Sequence, residues 1–269
     1  VATCILNDRD SSEIQNSKIQ ARFCCRRSCA SHRHCCCFSC VSSTSFTSFR
    51  FRIHTLQQQT TQRNNTNSTS NMTDPNFQAL AYSSFHSACE IGRLDVVKFL
   101  VNKNYVDVNQ TDLNGSSALY SACGNGHLDI AKYLVEECHV DAHRTMDDGS
   151  SSLLYACWGG HLNIAKYLVE TCHANVHQTN NNGYSAFILA CFNGHLNIAK
   201  YLVETCHLDV NQIYLNGSST LHFACAQGHL NIAKYLIEEC HALVHQPEAL
   251  YGFAGLHYAC QHGHIDITK

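Results

Sequence analysis

The 269-residue chain lacks any stretch that reads as a membrane span. In its N-terminal 77 residues the longest apolar run is CCCFSCV, residues 35–41, against the ~20 residues a bilayer-crossing helix needs. It does not open on Met, and no charged stretch followed by an apolar one reads as a secretory signal. No GxSxG, phosphate-loop, HExxH or dinucleotide fingerprint occurs, so the sequence offers no catalytic residue and no cofactor-binding residue. Acidic residues are missing from the whole segment between Ile14 and Thr73.

The two parts of the chain differ in charge. Residues 1–77 carry nine Lys and Arg against four Asp and Glu, a balance of +5, whereas residues 78–269 carry nine against seventeen, a balance of −8. An acidic segment has no electrostatic footprint for phosphate backbones, so nucleic acid is not an expected partner of the C-terminal part.

What is present is repetition. GHLNIAKYL occurs at Gly160, Gly194 and Gly228, as GHLDIAKYL at Gly126, and in faded form at Gly92 and Gly263. A fixed period of 34 or 35 residues means one supersecondary unit stacked on copies of itself. The units run 78–111, 112–145, 146–179, 180–213, 214–248 and 249–269, the last incomplete. In residues 112–145, a polar tip ends at Gly115 and a short helix is predicted over residues 116–123, stopped by Gly126 in a left-handed C′ position. A second helix follows from about Leu128 to Glu137, with Ile130, Leu134 and Cys138 as its buried stripe and Lys132, Glu136 and Glu137 in water. Helices this short are marginal alone and must be stabilised by neighbours.

Ten of the eighteen cysteines sit in two ladders, Cys89 to Cys260 and Cys138 to Cys240. Rungs of one ladder fall on packed neighbouring helices ~8–10 Å apart, beyond the ~7 Å Cα reach of a disulfide. They are expected to be free thiols filling small buried positions in a reducing compartment. The expected location is the cytoplasm, with the nucleus left open.

Residues 1–77 show no period and end in a Gln, Thr, Asn and Ser tract, a composition that predicts a disordered leader. Met72 is its first methionine and a candidate natural start. The leader's Cys24, Cys25, Cys29, His32, His34, Cys35, Cys36, Cys37 and Cys40 allow metal binding or thioester lipidation in principle but lack paired CxxC spacing. The segment's Arg and Ser content also fits a transit peptide.

A glycine-marked tip, a short Leu- and Ala-centred helix, a Gly-His pair, a longer helix and a loop to the next tip together resemble the ankyrin repeat. The match covers residues 78–269. Where the family has Thr-Pro-Leu-His, this chain reads SALY at Ser117, SSLL at Ser151, SAFI at Ser185, STLH at Ser219 and AGLH at Ala254. The proline is gone throughout and the histidine remains at His86, His222 and His257, which predicts a looser first turn of helix one. The tail CHVDAH replaces Gly-Ala-Asp-Val-Asn and adds one residue after helix two, accounting for the 34. The resemblance implies an all-α solenoid of stacked helix-turn-helix units, working as a non-enzymatic, monomeric scaffold that holds a partner protein on its concave tips and first helices.

The Gly-His ladder His127, His161, His195, His229 and His264 reads as structural, and the loop sets built on Cys138, Cys172 and Cys240 supply too few ligands for a tetrahedral zinc site. No metal is expected. Copy-to-copy variation instead marks the tips and two helix-one positions. The candidate partner-binding set is Met146, Asp147, Asp148, Tyr155, Trp158, Asn181, Tyr184, Phe192, Tyr214 and Leu215, with Trp158, Phe192, Tyr155 and Tyr184 as one aromatic patch of interface anchors. For Tyr155, Leu189 and Phe223, packing between units is the alternative. Asp147 and Asp148 would favour a partner carrying Lys or Arg. Two other functions remain: the targeting arm of a larger enzyme or signalling protein continuing past Lys269, and a Cys/His metal-binding protein.

Overall fold

The structure is a computed structural model that describes residues 75–268 apart from 114, 215, 216, 248, 250 and 251. The expected leader with its Cys/His cluster, Met72 and the candidate Leu215 lie outside the described residues.

The described chain is an α-solenoid of helical pairs. The first helices of the six units are α1 (Pro75–Ile91), α3 (Ala118–Gly124), α5 (Ser152–Gly159), α7 (Ala186–Phe192), α9 (Thr220–Gln227) and α11 (Gly255–His262). The second helices are α2 (Leu94–Asn102), α4 (Leu128–Lys132), α6 (Leu162–Glu170), α8 (Leu196–Glu204), α10 (Leu230–Lys234) and α12 (Ile265–Thr268). First helices stack on first helices of the adjoining units, and second helices on second helices. The first helix of unit one is more than twice as long as its equivalents and begins at Pro75, a residue whose fixed φ suits the first helical position.

Small side chains make this stacking possible. Ala122, Cys123, Ala156, Cys157, Ala190, Cys191 and Ala224 are buried, as are Ile130, Leu134, Ile164, Leu168, Ile198, Leu202, Ile232 and Leu236 on the second helices. Cys138, expected on the same stripe, is half-buried at its edge, as is Val135, and Lys132, Glu136 and Glu137 face water as the amphipathic pattern requires.

Four tips are tight hairpins. Thr145 and Ser151 form an isolated bridge, as do Thr111 and Ser117, Thr179 and Ser185, and Ile213 and Ser219. Inside the third-unit tip, Gly149 N donates to Met146 O at 2.9 Å and Met146 N to Ser150 O at 2.9 Å. Gly149 has φ 77°, the left-handed residue that closes a short hairpin loop. In units three and four the serine after the tip is extended and caps helix one: Ser151 Oγ accepts from Leu154 N, and Ser185 Oγ from Ile188 N at 3.2 Å, whereas Ser117 makes no side-chain cap bond and Ala254 stands there in unit six. This cap ties down the first turn where the family's proline is missing.

At the histidine position of that motif the units solve one problem in different ways. His222 Nε2 donates to Phe253 O at 2.9 Å, reaching into the next unit. Tyr120, at the same position in unit two, donates its hydroxyl towards both Arg144 O at 2.7 Å and Ser150 O at 2.6 Å. Leu154 and Ile188 fill the position with buried hydrocarbon.

The Gly-His ladder is a set of bolts between units. Nε2 of His127, His161, His195, His229 and His264 lies 2.9–3.0 Å from the carbonyl oxygens of Glu90, Gly124, Trp158, Phe192 and Ala226. A carbonyl can only accept, so each ring donates there and satisfies an orphan at the end of the preceding helix one. The glycine beside each ring makes room: a Cβ on Gly160 would stand 2.6 Å from two atoms of the His195 ring.

The residue that lengthens the period resides inside the end of helix two. In units two and five the helix widens into a π-turn, Tyr133–Glu137 and Tyr235–Glu239. Cys138, Cys172, Cys206 and Cys240 each donate backbone N–H five residues back, to Tyr133, Tyr167, Tyr201 and Tyr235, at 3.1–3.3 Å. A π-turn is what one added residue produces in an otherwise regular helix. His139, His173, His207 and His241 then take the left-handed position at φ 55–56°. Unit one differs: Asn104 is left-handed at φ 54°, and Tyr105 follows it as the extra residue.

Candidate partner-binding surface

The tips and the ends of the first helices carry the candidate residues, and most of them meet. The rings of Trp158 and Phe192 stack at 6.1 Å between centroids with planes 20° apart. Phe192 contacts Phe223 edge-on at 5.9 Å. Phe223 in turn meets Tyr214 at 5.7 Å and Tyr184 at 6.4 Å, and Tyr184 stacks on Tyr214 at 4.7 Å. These five rings, from units three, four and five, form one continuous strip, and each is only half-buried. Aromatic pairs in such geometries gain ~0.5–1.5 kcal/mol beyond area burial, so the rings are held in place by one another before any partner arrives.

Phe223 joins the two halves of the strip, although the candidate set omits it. Its signal was copy-to-copy variation at one helix-one position, which sequence alone reads equally as packing between units. Leu189, at that position in unit four, is indeed buried. Tyr155 leaves the expected patch: its ring sits edge-on against Tyr120 at 5.5 Å, and its Cδ1 would be 3.2 Å from a Cβ on Gly124. The glycine in unit two thus seats Tyr155 towards that side.

At the tips, Asn181 links neighbours. Its backbone N donates to Asp148 O at 2.8 Å and its Nδ2 to Asp147 O at 3.2 Å. Both Asp148 oxygens are engaged by Ser150, at the backbone N and the hydroxyl. The exposed Asp147 carboxylate makes no hydrogen bond or ion pair among the described residues. Met146 is half-buried in its hairpin.

The other side of the stack carries a ladder of lysines and tyrosines. Lys98, Lys132, Lys166 and Lys200 each lie 4.7–5.5 Å from the ring centroid of the tyrosine on the next helix two, Tyr133, Tyr167, Tyr201 and Tyr235. Tyr201 and Tyr235 donate their hydroxyls to Glu170 and Glu204 of the preceding unit at 3.1 and 3.2 Å. Lys200 also pairs with Glu239 at 3.2 Å.

Burial pushes the Cys89, Cys123, Cys157 and Cys191 thiols far above their ordinary value, and that of Cys225 up to about 11, which suppresses the reactive thiolate. Among the described residues, no three His, Cys, Asp or Glu side chains converge to hold a metal ion, the described Cys138, Cys172 and Cys240 loops included. No helix among them is long and apolar enough to cross a membrane.

No curated protein matches the chain. A family model described as ankyrin repeats (3 copies) does, at residues 56–145, 137–213 and 206–269, and these matches enclose every helical pair described above. By that match and by its stacked helical hairpins, the chain belongs to the ankyrin-repeat family.

Proposed function

We propose that this protein is a non-enzymatic interaction module that holds a partner protein against its tips and first helices. Ankyrin repeats generally mediate protein–protein interaction, and the observation that carries the reading here is the half-buried strip of Trp158, Phe192, Phe223, Tyr184 and Tyr214. Large aromatic side chains that are fixed in advance make good interface anchors, because binding costs them little further conformational freedom. The skeleton beneath is engaged in holding itself together, with buried thiols, serine caps and bolted histidines. Asn181 belongs to that skeleton as much as to the surface.

Affinity purification with the full chain tests this. A Trp158→Ala, Phe192→Ala double variant is expected to lose the proteins that the wild-type chain captures while keeping the same far-UV circular dichroism. A folded double variant that captures an unchanged set would place the contact surface elsewhere.

A further inference from the structure

The positive charges of the array are distributed unevenly between its two sides. In residues 112–127, 146–161, 180–195, 214–229 and 249–264, the tip and first helix of five successive units, there is no Lys or Arg, while Asp112, Asp147 and Asp148 lie there. Lys98, Lys132, Lys166, Lys200 and Lys234 fall instead on the second helices or their π-turn junctions. On that side each tyrosine ring from Tyr133 to Tyr235 has a lysine of the preceding unit over it. The tip side has rings and carboxylates in adjacent units but supplies no cation of its own. The nearest in sequence, Arg144, directs its guanidinium to Asn109 O at 2.8 Å.

Resting on the interaction reading above, we infer that the occupant of the strip is an arginine-bearing segment of the partner protein. Its guanidinium planes lie against the aromatic rings, and its charge is balanced along the rim at Asp147. Arginine fits better than lysine because a planar, weakly hydrated guanidinium stacks on ring faces and pairs with a carboxylate through two parallel N–H donors. Helix α5, which joins the third tip to Trp158, is eight residues long, a span of about 12 Å. One side chain does not cover that distance, but about four extended residues do. The occupant is therefore a segment of chain.

Random dodecapeptides displayed on phage, selected on the folded full chain, test the inference. Trp158 is the chain's single tryptophan and is absent from the double variant, so binding of the selected peptides to wild type and to each variant is then followed by isothermal titration calorimetry. The expected result is enrichment of arginine over lysine, with binding lost in the Trp158→Ala, Phe192→Ala variant. Replacing a peptide arginine by neutral citrulline, or Asp147 by Asn, should weaken binding roughly two- to fivefold. Peptides that need Trp158 and Phe192 but show no arginine preference, or ignore Asp147→Asn, overturn the arginine assignment and leave the interaction surface standing. Peptides that bind the folded double variant as well as wild type, or a selection that yields none, overturn both. Asp147→Asn removes charge from an exposed side chain whose carboxylate has no internal partner, so it keeps the test valid even where the double variant folds poorly.

Discussion

A single left-handed glycine and the ring beside it set the strength of each joint. Gly160 and Gly263 have nearly the same backbone, φ 81° and 76°, yet a Cβ on Gly160 collides with His195 while one on Gly263 meets nothing within 4 Å. Ala at either position incurs left-handed strain of ~1–2 kcal/mol. Gly160→Ala must also displace a ring whose hydrogen bond to Trp158 O contributes ~1 kcal/mol. Urea denaturation should therefore show Gly160→Ala as the more damaging by at least ~1 kcal/mol. Equal losses would mean that the ring moves aside freely.

Two half-buried histidines, His161 of the ladder and His86, also give the array a pH dependence whose sign follows from burial. His161 is held below the ordinary imidazole pKa, first by burial and in lesser part by the neighbouring His195 and His127 rings, against the opposing effect of its bond to Gly124 O. His86 is lowered too, chiefly by burial. In the unfolded chain these rings take up a proton near pH ~6.5, before the folded chain does. Their contribution to stability is thus complete above that value and declines as the pH falls towards their folded pKa values. Proton NMR titration of His161 should give a midpoint below the free-imidazole value, and thermal unfolding at pH 5 should come earlier than at pH 7. A His161 midpoint at or above the free value would remove the argument.

At the level of the helix, the sequence reading and the structure agree where periodicity decides and part where termini decide. Residues 128–137 form helix two as expected, because Ile130 and Leu134 hold its stripe in the core, but its second half is a π-turn that the pattern does not show. Helix one starts at Ala118, two residues later than the pattern suggests, because Ser117 is extended as the cap. The added residue, expected after helix two, is absorbed within its last turn; hydrophobic spacing is blind to a change from i→i−4 to i→i−5 bonding. Ring contacts between units were equally hidden: variation pointed to Trp158, Phe192, Tyr184 and Tyr214, but only coordinates show Phe223 joining them and Tyr155 turning to Tyr120. The same helix ends carry a correctable strain. His173 is exposed and left-handed at φ 55°, where glycine sits without a Cβ penalty. His173→Gly should raise stability by ~0.5–1 kcal/mol once glycine's greater unfolded-state freedom is set against the relieved strain. A lowered thermal midpoint would show that the imidazole is needed there.

Across the whole stack, stability is a sum of unit contributions and the joints between neighbours. Among the described residues unit six packs on one side only: Leu256 is 50% exposed and Ile265 64%, while Leu221 at the position of Leu256 in unit five is 3% exposed. Hydrogen exchange should therefore be slowest in α5 to α8 and fastest in α11 and α12, graded by position. Uniform protection from α1 to α12 would mean that the array opens as one cooperative body.

The arrangement of lysines on the second helices has a practical consequence. Among the described residues, the primary amines of Lys98, Lys132, Lys166, Lys200 and Lys234 fall outside the tips and first helices. Where coupling chemistry aimed at amines, whether a biotin label or an activated sensor surface, uses these five, it attaches to the array from behind. The five rings would then be presented outward, with no engineered tag needed to set the orientation.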